Sequence, residues 1–130
     1  MYLAKSAHLI CVEQEIYSIE EEQLRSLLSN SNLFSVYERN YCQKKPTPLL
    51  SIAGIWCAKQ ALVKATNQIG FYNFNYLDLE VRHRDSGQPT MRLHASLAKR
   101  FESQNINVEI AIAHTKTLAA ATILFWCAKI

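Results

Sequence analysis

The residues best suited to chemistry are Lys59 and Lys64. Both sit in the otherwise apolar run Ile52-Ala53-Gly54-Ile55-Trp56-Cys57-Ala58-Lys59-Gln60-Ala61-Leu62-Val63-Lys64-Ala65. An ammonium in such surroundings either adds charge beside an anion or snorkels to the surface along its own stem. On a helix the two lie about 140° apart, at roughly 100° per residue, so they need not share a face. Glu13 and Glu15 are a second candidate group. Spaced by two, they point to the same side of a strand. There they are either ligands for a hard cation or solvated charges at a strand end. His114 and Thr115 close an apolar run. The histidine is either a binding group or a hydrogen-bonded strand end.

These residues need elements to hold them. Residues 8–14 are short, apolar and β-prone, which predicts a buried first strand. Ser18 with Glu21 three residues later predicts a capping box, and Leu24, Leu27 and Leu28 give the helix a buried face. Ser29-Asn30-Ser31-Asn32 is a loop, and Ser35 caps a short helix through Tyr41. Lys44-Lys45-Pro46-Thr47-Pro48 is a break, with Pro48 suited to a helix start. From Leu49 to about Gln68 the chain is apolar almost all round, which predicts a central buried helix ended by Gly70. Residues 76–82 alternate as a half-buried strand. Asp85-Ser86-Gly87-Gln88-Pro89 is a tight turn, and Met91-Arg92-Leu93 the return strand. Ala95 to Ser103 reads as an amphipathic helix, then Val108–His114 and Ala119–Trp126 as strands. The expectation is one α+β domain over residues 1–130, an antiparallel sheet packed on a long central helix.

Composition narrows the function classes. Nearly half of the 130 residues are hydrophobic, which excludes disorder. A net charge of +3 is too weak to argue for nucleic acid. Cys11, Cys42, Cys57 and Cys127 form no CxxC pair and lie near no histidine at zinc spacing. They read as free thiols of a reducing, cytoplasmic compartment. No run has the length of a membrane span.

In order along the chain stand Val12-Glu13-Gln14-Glu15, Lys59-Gln60 with Lys64, the Asp85–Pro89 turn, and Ile110-Ala111-Ile112-Ala113-His114-Thr115 before Leu118-Ala119-Ala120-Ala121-Thr122-Ile123. Each motif alone is weak; four in the correct order are specific. Over roughly residues 8–126 the chain resembles the small holo-acyl-carrier-protein synthase branch of the 4′-phosphopantetheinyl transferase superfamily. The resemblance implies transfer of 4′-phosphopantetheine from coenzyme A to a carrier-protein serine, in fatty acid or polyketide biosynthesis. It implies magnesium at Glu13, Glu15 and Gln60. Lys59 and Lys64 would stand at the phosphates, with Gln60 and Lys64 in the catalytic positions. His114 and Thr115 would stand at the nucleotide end. It also implies a homotrimer with a shared site, or a hetero-oligomer with a paralogue. Strands near Leu77–Val81 and Leu118–Trp126 would form the interface.

The pattern breaks at several places. Gln60 stands where the family carries a catalytic, metal-binding glutamate; an amide brings no negative charge and cannot act as a base. Ile55 replaces an arginine, and Asn67 and Ile69 replace glycines of a phosphate-cradling turn. The helix that docks acidic carriers in the family is arginine-rich; here it begins Glu20-Glu21-Glu22 and offers only Arg25. Two readings follow: a divergent transferase, or a catalytically degenerate relative that binds coenzyme A or a carrier protein, or partners an active copy.

Overall fold

Pro48 supplies the fixed φ of a first helical turn and no amide hydrogen to waste, and the longest helix, α3 (Pro48–Gln68), starts on it. In this computed structural model, which describes residues 6–128, α3 is the element around which the rest is arranged. Ile52, Ile55, Leu62 and four alanines of α3 are buried. Each large apolar side chain so buried contributes about 1.5–3 kcal/mol. Gly70, with φ of 89°, follows the helix end, as expected of a glycine there.

Three strands, β1 (Ala7–Ser18), β5 (Leu118–Ala128) and β4 (Asn107–His114), form an antiparallel sheet in the order β1-β5-β4. Period-two alternation gives it two unlike faces. The inner face carries Cys11, Glu13, Glu15 and Tyr17 on β1, Ala119, Ala121, Ile123 and Phe125 on β5, and Val108, Ile110, Ile112 and His114 on β4. Gly54 lets α3 approach this face, since a Cβ there would lie 2.6 Å from Ile112 Cγ2. The outer face carries Val12, Ile16, Leu118, Ala120, Ala111 and Ala113, and no element of the described chain packs on it. A second antiparallel pair, β2 (Leu79–His83) and β3 (Pro89–Leu93), turns through Gly87 at φ 90°. Below it α4 (Ala95–Ser103) seats Leu97 and Phe101, the latter edge-on to Phe125 at 5.0 Å. Two short helices, α1 (Glu21–Leu28) and α2 (Val36–Gln43), cover the first half of α3. No helix of the described residues is long and apolar enough to cross a membrane.

Three local expectations are corrected. Ser18 caps no helix: β1 runs on through it, paired with Leu118, and α1 starts after Glu20 without a side-chain cap. Strand pairing along β5 outcompetes the local capping box. Residues 76–78 form a 3-10 turn, not strand, because Asp78 accepts from the Asn75 amide at 3.0 Å and closes the backbone. Leu79 and Val81 of β2 are fully buried in the core, which leaves their side chains no surface for the interface expected near Leu77–Val81.

Candidate active site

The seam between β1 and α3 collects most of the polar residues singled out above. Residues 57, 61, 64 and 68 of α3 recur at helical spacing and face the inner side of β1. Glu15 makes a close ion pair with Lys64. The carboxylate is nearly buried while the ammonium is more than half exposed, at 10% and 58% of the side chain. The hydrogen bond to Glu15 holds the Lys64 ammonium above its ordinary range. One step along, Glu13 accepts from Gln68 Nε2, and Gln68 Oε1 accepts from the Cys11 thiol at 3.2 Å. Tyr17 ends the row; burial and the neighbouring Glu15 raise its phenol. One turn before Lys64, half-buried Gln60 donates Nε2 to the Tyr76 hydroxyl at 2.9 Å.

Lys59 is elsewhere, and the phosphate role expected of it is corrected. It is wholly buried. Its Nζ donates to Leu33 O at 2.6 Å and Tyr76 O at 3.2 Å and pairs with Glu38 Oε1 at 2.6 Å. An ammonium has three hydrogens, so none is left for a phosphate. Burial pushes Glu38 up and Lys59 down, and their mutual attraction opposes both shifts. Glu38 also closes the capping box of α2, accepting from Ser35 N at 2.9 Å, and accepts from Val81 N at 2.9 Å. The pair ties α2, α3 and β2 together. Sequence reasoning missed Glu38, although Ser35 and Glu38 form the Ser-x-x-Glu signature of a cap.

His114 and Thr115 lie across α3 from this seam. Tyr17 and His114 both pair with Ala119, from opposite edges of the sheet. At about 4.8 Å per strand spacing they stand roughly 10 Å apart, with α3 over the strand between. His114 lines a cleft of about 170 Å³ with Tyr41, Ser51, Ile55, His83 and Pro89. Tyr41 stacks on His83 at 3.6 Å, and Lys45 stands 4.6 Å over the Tyr41 ring. Burial, then Lys45, lowers the His83 pKa. Thr115 Oγ1 accepts from the amides of Thr117 at 3.2 Å and Leu118 at 3.0 Å, so the hydroxyl shapes the β4–β5 turn. Ile55, in place of an arginine, is buried and leaves its side of the cleft uncharged.

Two of the thiols are kept protonated by burial. Burial lifts Cys42 to about 12 and Cys57 to about 11. A second, larger groove of about 780 Å³ lies between α1 and the start of α3, with Ile19, Leu28, Leu49 and Leu50 in its lining and Glu21, Arg25 and Lys116 among its charged residues.

The architecture is that of a known class of solved proteins, the holo-acyl-carrier-protein synthases. A holo-(acyl-carrier-protein) synthase from Bacillus anthracis in complex with CoA (3′,5′-ADP) superposes with a TM-score of 0.71 at 22% identity, over 92% of this chain and 97% of that one. An apo-ACPS structure from Chronobacterium ammoiniagenes gives 0.76 at 20%, over 95% and 100%. By sequence, a holo-[acyl-carrier-protein] synthase of Alkaliphilus metalliredigens is 38% identical over 91 residues, 68% of this chain and 73% of the relative. One of Clostridium botulinum is 32% identical over 108 residues, 79% and 87%. The profile of the 4′-phosphopantetheinyl transferase superfamily matches residues 12–123. The chain belongs to that superfamily.

Proposed function

We propose that this protein transfers 4′-phosphopantetheine from coenzyme A to a serine of an acyl or peptidyl carrier protein. The serine oxygen forms a bond to the phosphorus nearest the pantetheine, the bridging phosphate bond breaks, and 3′,5′-adenosine diphosphate leaves. The observation that carries the reading is the Glu15–Lys64 pair beside Gln60. Lys64 is charged, exposed and one turn from Gln60, so it can meet a pyrophosphate oxygen and stabilise charge as the bridge breaks.

Magnesium is tested against the donor set. Among the described residues no group of three or more His, Cys, Asp or Glu side chains is placed to hold a metal. Magnesium needs only one or two carboxylates when substrate phosphates and waters complete its shell. Glu13 and Glu15, neighbours on the inner face of β1, meet that count and suit an ion that arrives with substrate, while Gln60 turns its amide to Tyr76. Such an ion would neutralise phosphate charge and polarise the phosphoryl group. With Glu13 holding the ion, Glu15, freed from Lys64 as that ammonium turns to phosphate, is the carboxylate that takes the serine proton.

The phosphate residues and His114 lie on opposite sides of α3. That separation supports a site completed between copies, with the uncovered face of the β1-β5-β4 sheet as the joining surface. A trimer of identical chains suits this arrangement. An assembly with a paralogue is the variant for a chain that has lost the α3 glutamate. In that degenerate reading Gln60 is a damaged residue, and Gln60→Glu would raise activity sharply. No change would mean that another group serves as base. Carrier docking falls to the groove beside α1. There Arg25 is engaged by Glu21 at 2.5 Å, so the surface favours a carrier less acidic than the family's usual one. The test is chromatographic release of 3′,5′-adenosine diphosphate from coenzyme A with magnesium and a panel of carriers. Release that requires the carrier supports transfer; coenzyme A left intact with every carrier while calorimetry shows it bound leaves the binding-only reading.

A further inference from the structure

The cleft that holds His114 differs from the β1–α3 seam in one respect: no fixed charge lines it. Its wall includes Tyr41, Ser51, Ile55, His83 and His114, and among the described residues none of its lining side chains is Lys, Arg, Asp or Glu. Two lysines close by in sequence do not line it. Lys45 stands over the Tyr41 ring at 4.6 Å, and Lys116 lines the groove beside α1. Burial and Lys45 keep His83 neutral, and its Nδ1 is buried without a hydrogen-bond partner among the described residues. Buried Ile55 closes its side of the wall with hydrocarbon, where the family pattern has arginine.

A phosphomonoester carries about −1.5 to −2 charges at pH 7. Holding it strongly takes charge-assisted hydrogen bonds, chiefly from Lys or Arg. A wall of neutral groups and hydrocarbon returns little for the water such a phosphate gives up. A heterocycle and its ribose, which are neutral, suit that wall. We propose that the cleft takes the adenosine of coenzyme A without reading its 3′-phosphate, so that the protein binds coenzyme A and dephospho-coenzyme A alike, with Ile55 the residue that sets this breadth. The proposal rests on the transferase reading for coenzyme A as the ligand and for its nucleotide end at His114. The two donors share the pyrophosphate that Lys64 meets and the bond that breaks. They differ only in what leaves: 3′,5′-adenosine diphosphate from one, adenosine 5′-monophosphate from the other.

The test is calorimetric titration of the folded protein with each nucleotide at one ionic strength. Parent affinities are expected to agree within about threefold, whereas one charge-assisted contact to the 3′-phosphate would separate them roughly ten- to a hundredfold. His114→Ala is expected to weaken both ligands by the same factor, because its contact is to the adenosine they share. Ser51→Arg, at a half-buried position one turn before Ile55, sets a guanidinium on the wall and is expected to favour coenzyme A about tenfold. The proposal is overturned by a parent that prefers coenzyme A about tenfold or more, by a His114→Ala loss confined to coenzyme A, or by a Ser51→Arg protein that still holds both alike. A parent that binds neither nucleotide overturns the reading beneath it as well. Equal binding of both donors with every carrier left unmodified counts against the transferase reading alone.

Discussion

Lys59→Met separates a buried structural cation from a phosphate ligand. The side chain has no exposed surface, and its three hydrogens go to Glu38, Leu33 O and Tyr76 O. Methionine fills a similar volume but leaves the Glu38 carboxylate buried opposite nothing. Breaking a buried pair on one side costs about 3–5 kcal/mol. With a urea slope of about 1–3 kcal/mol/M for a chain of this size, the unfolding midpoint drops by at least about 1 M. Adding Glu38→Gln should recover part of the loss, because no unpaired charge remains while the amide oxygen still accepts from Val81 N or Ser35 N. Urea unfolding of parent, single and double variants measures both effects. Parental stability in Lys59→Met, coupled to a weakened hold on coenzyme A, would refute the structural role and restore the phosphate role.

Three further outcomes follow from the packing and charges. Gly54→Ala should destabilise by about 1–3 kcal/mol, since the new methyl meets Ile112 Cγ2 at 2.6 Å, and Ile112→Val should relieve part of that; thermal unfolding decides. Burial raises Glu80, but hydrogen bonds from Ser35, Arg82 and His94 outweigh it and hold the carboxyl at about 2. A depressed carboxyl stabilises the fold above its ordinary range near 4.5, and that stability is lost as pH falls from there toward 2. Glu80→Gln should flatten this acid limb, and an unchanged limb in a pH series of melts would show that Glu80 is not its source. Sedimentation equilibrium should find an oligomer, dispersed by Ile16→Glu on the uncovered sheet face; a monomeric parent counts against the shared site.

Much of the fold was legible because it rests on strong local signals. Pro48 and the all-round apolar run announce α3, Gly70 its end, and Gly87 the β2–β3 turn. The Ala-rich run after residue 118 announces β5. Part of what escaped depends on partners distant in the chain. Ser18 and Glu21 offer a good cap, but pairing with β5 across a hundred residues takes Ser18 into strand. Residues 76–79 alternate like a strand, yet reciprocal hydrogen bonds between Asn75 and Asp78 coil the first three. In the candidate site, the sequence brought forward Glu15 and Lys64, which the fold joins. It also brought forward Lys59, whose burial depends on Glu38 in a different helix. A lysine in an apolar helix reads the same whether its ammonium turns outward or inward; only the carboxylate opposite decides. The division of the residues between the two sides of α3 had no sequence signal, because it follows from strand order.

The most direct measurement is the intact mass of a carrier protein after incubation with this protein, coenzyme A and magnesium. The expected result is the mass gain of one phosphopantetheine, absent when the carrier serine is replaced by alanine and strongly reduced with Lys64→Ala. An unchanged carrier mass across a panel of carriers, with the protein folded and coenzyme A present throughout, would contradict the transferase assignment.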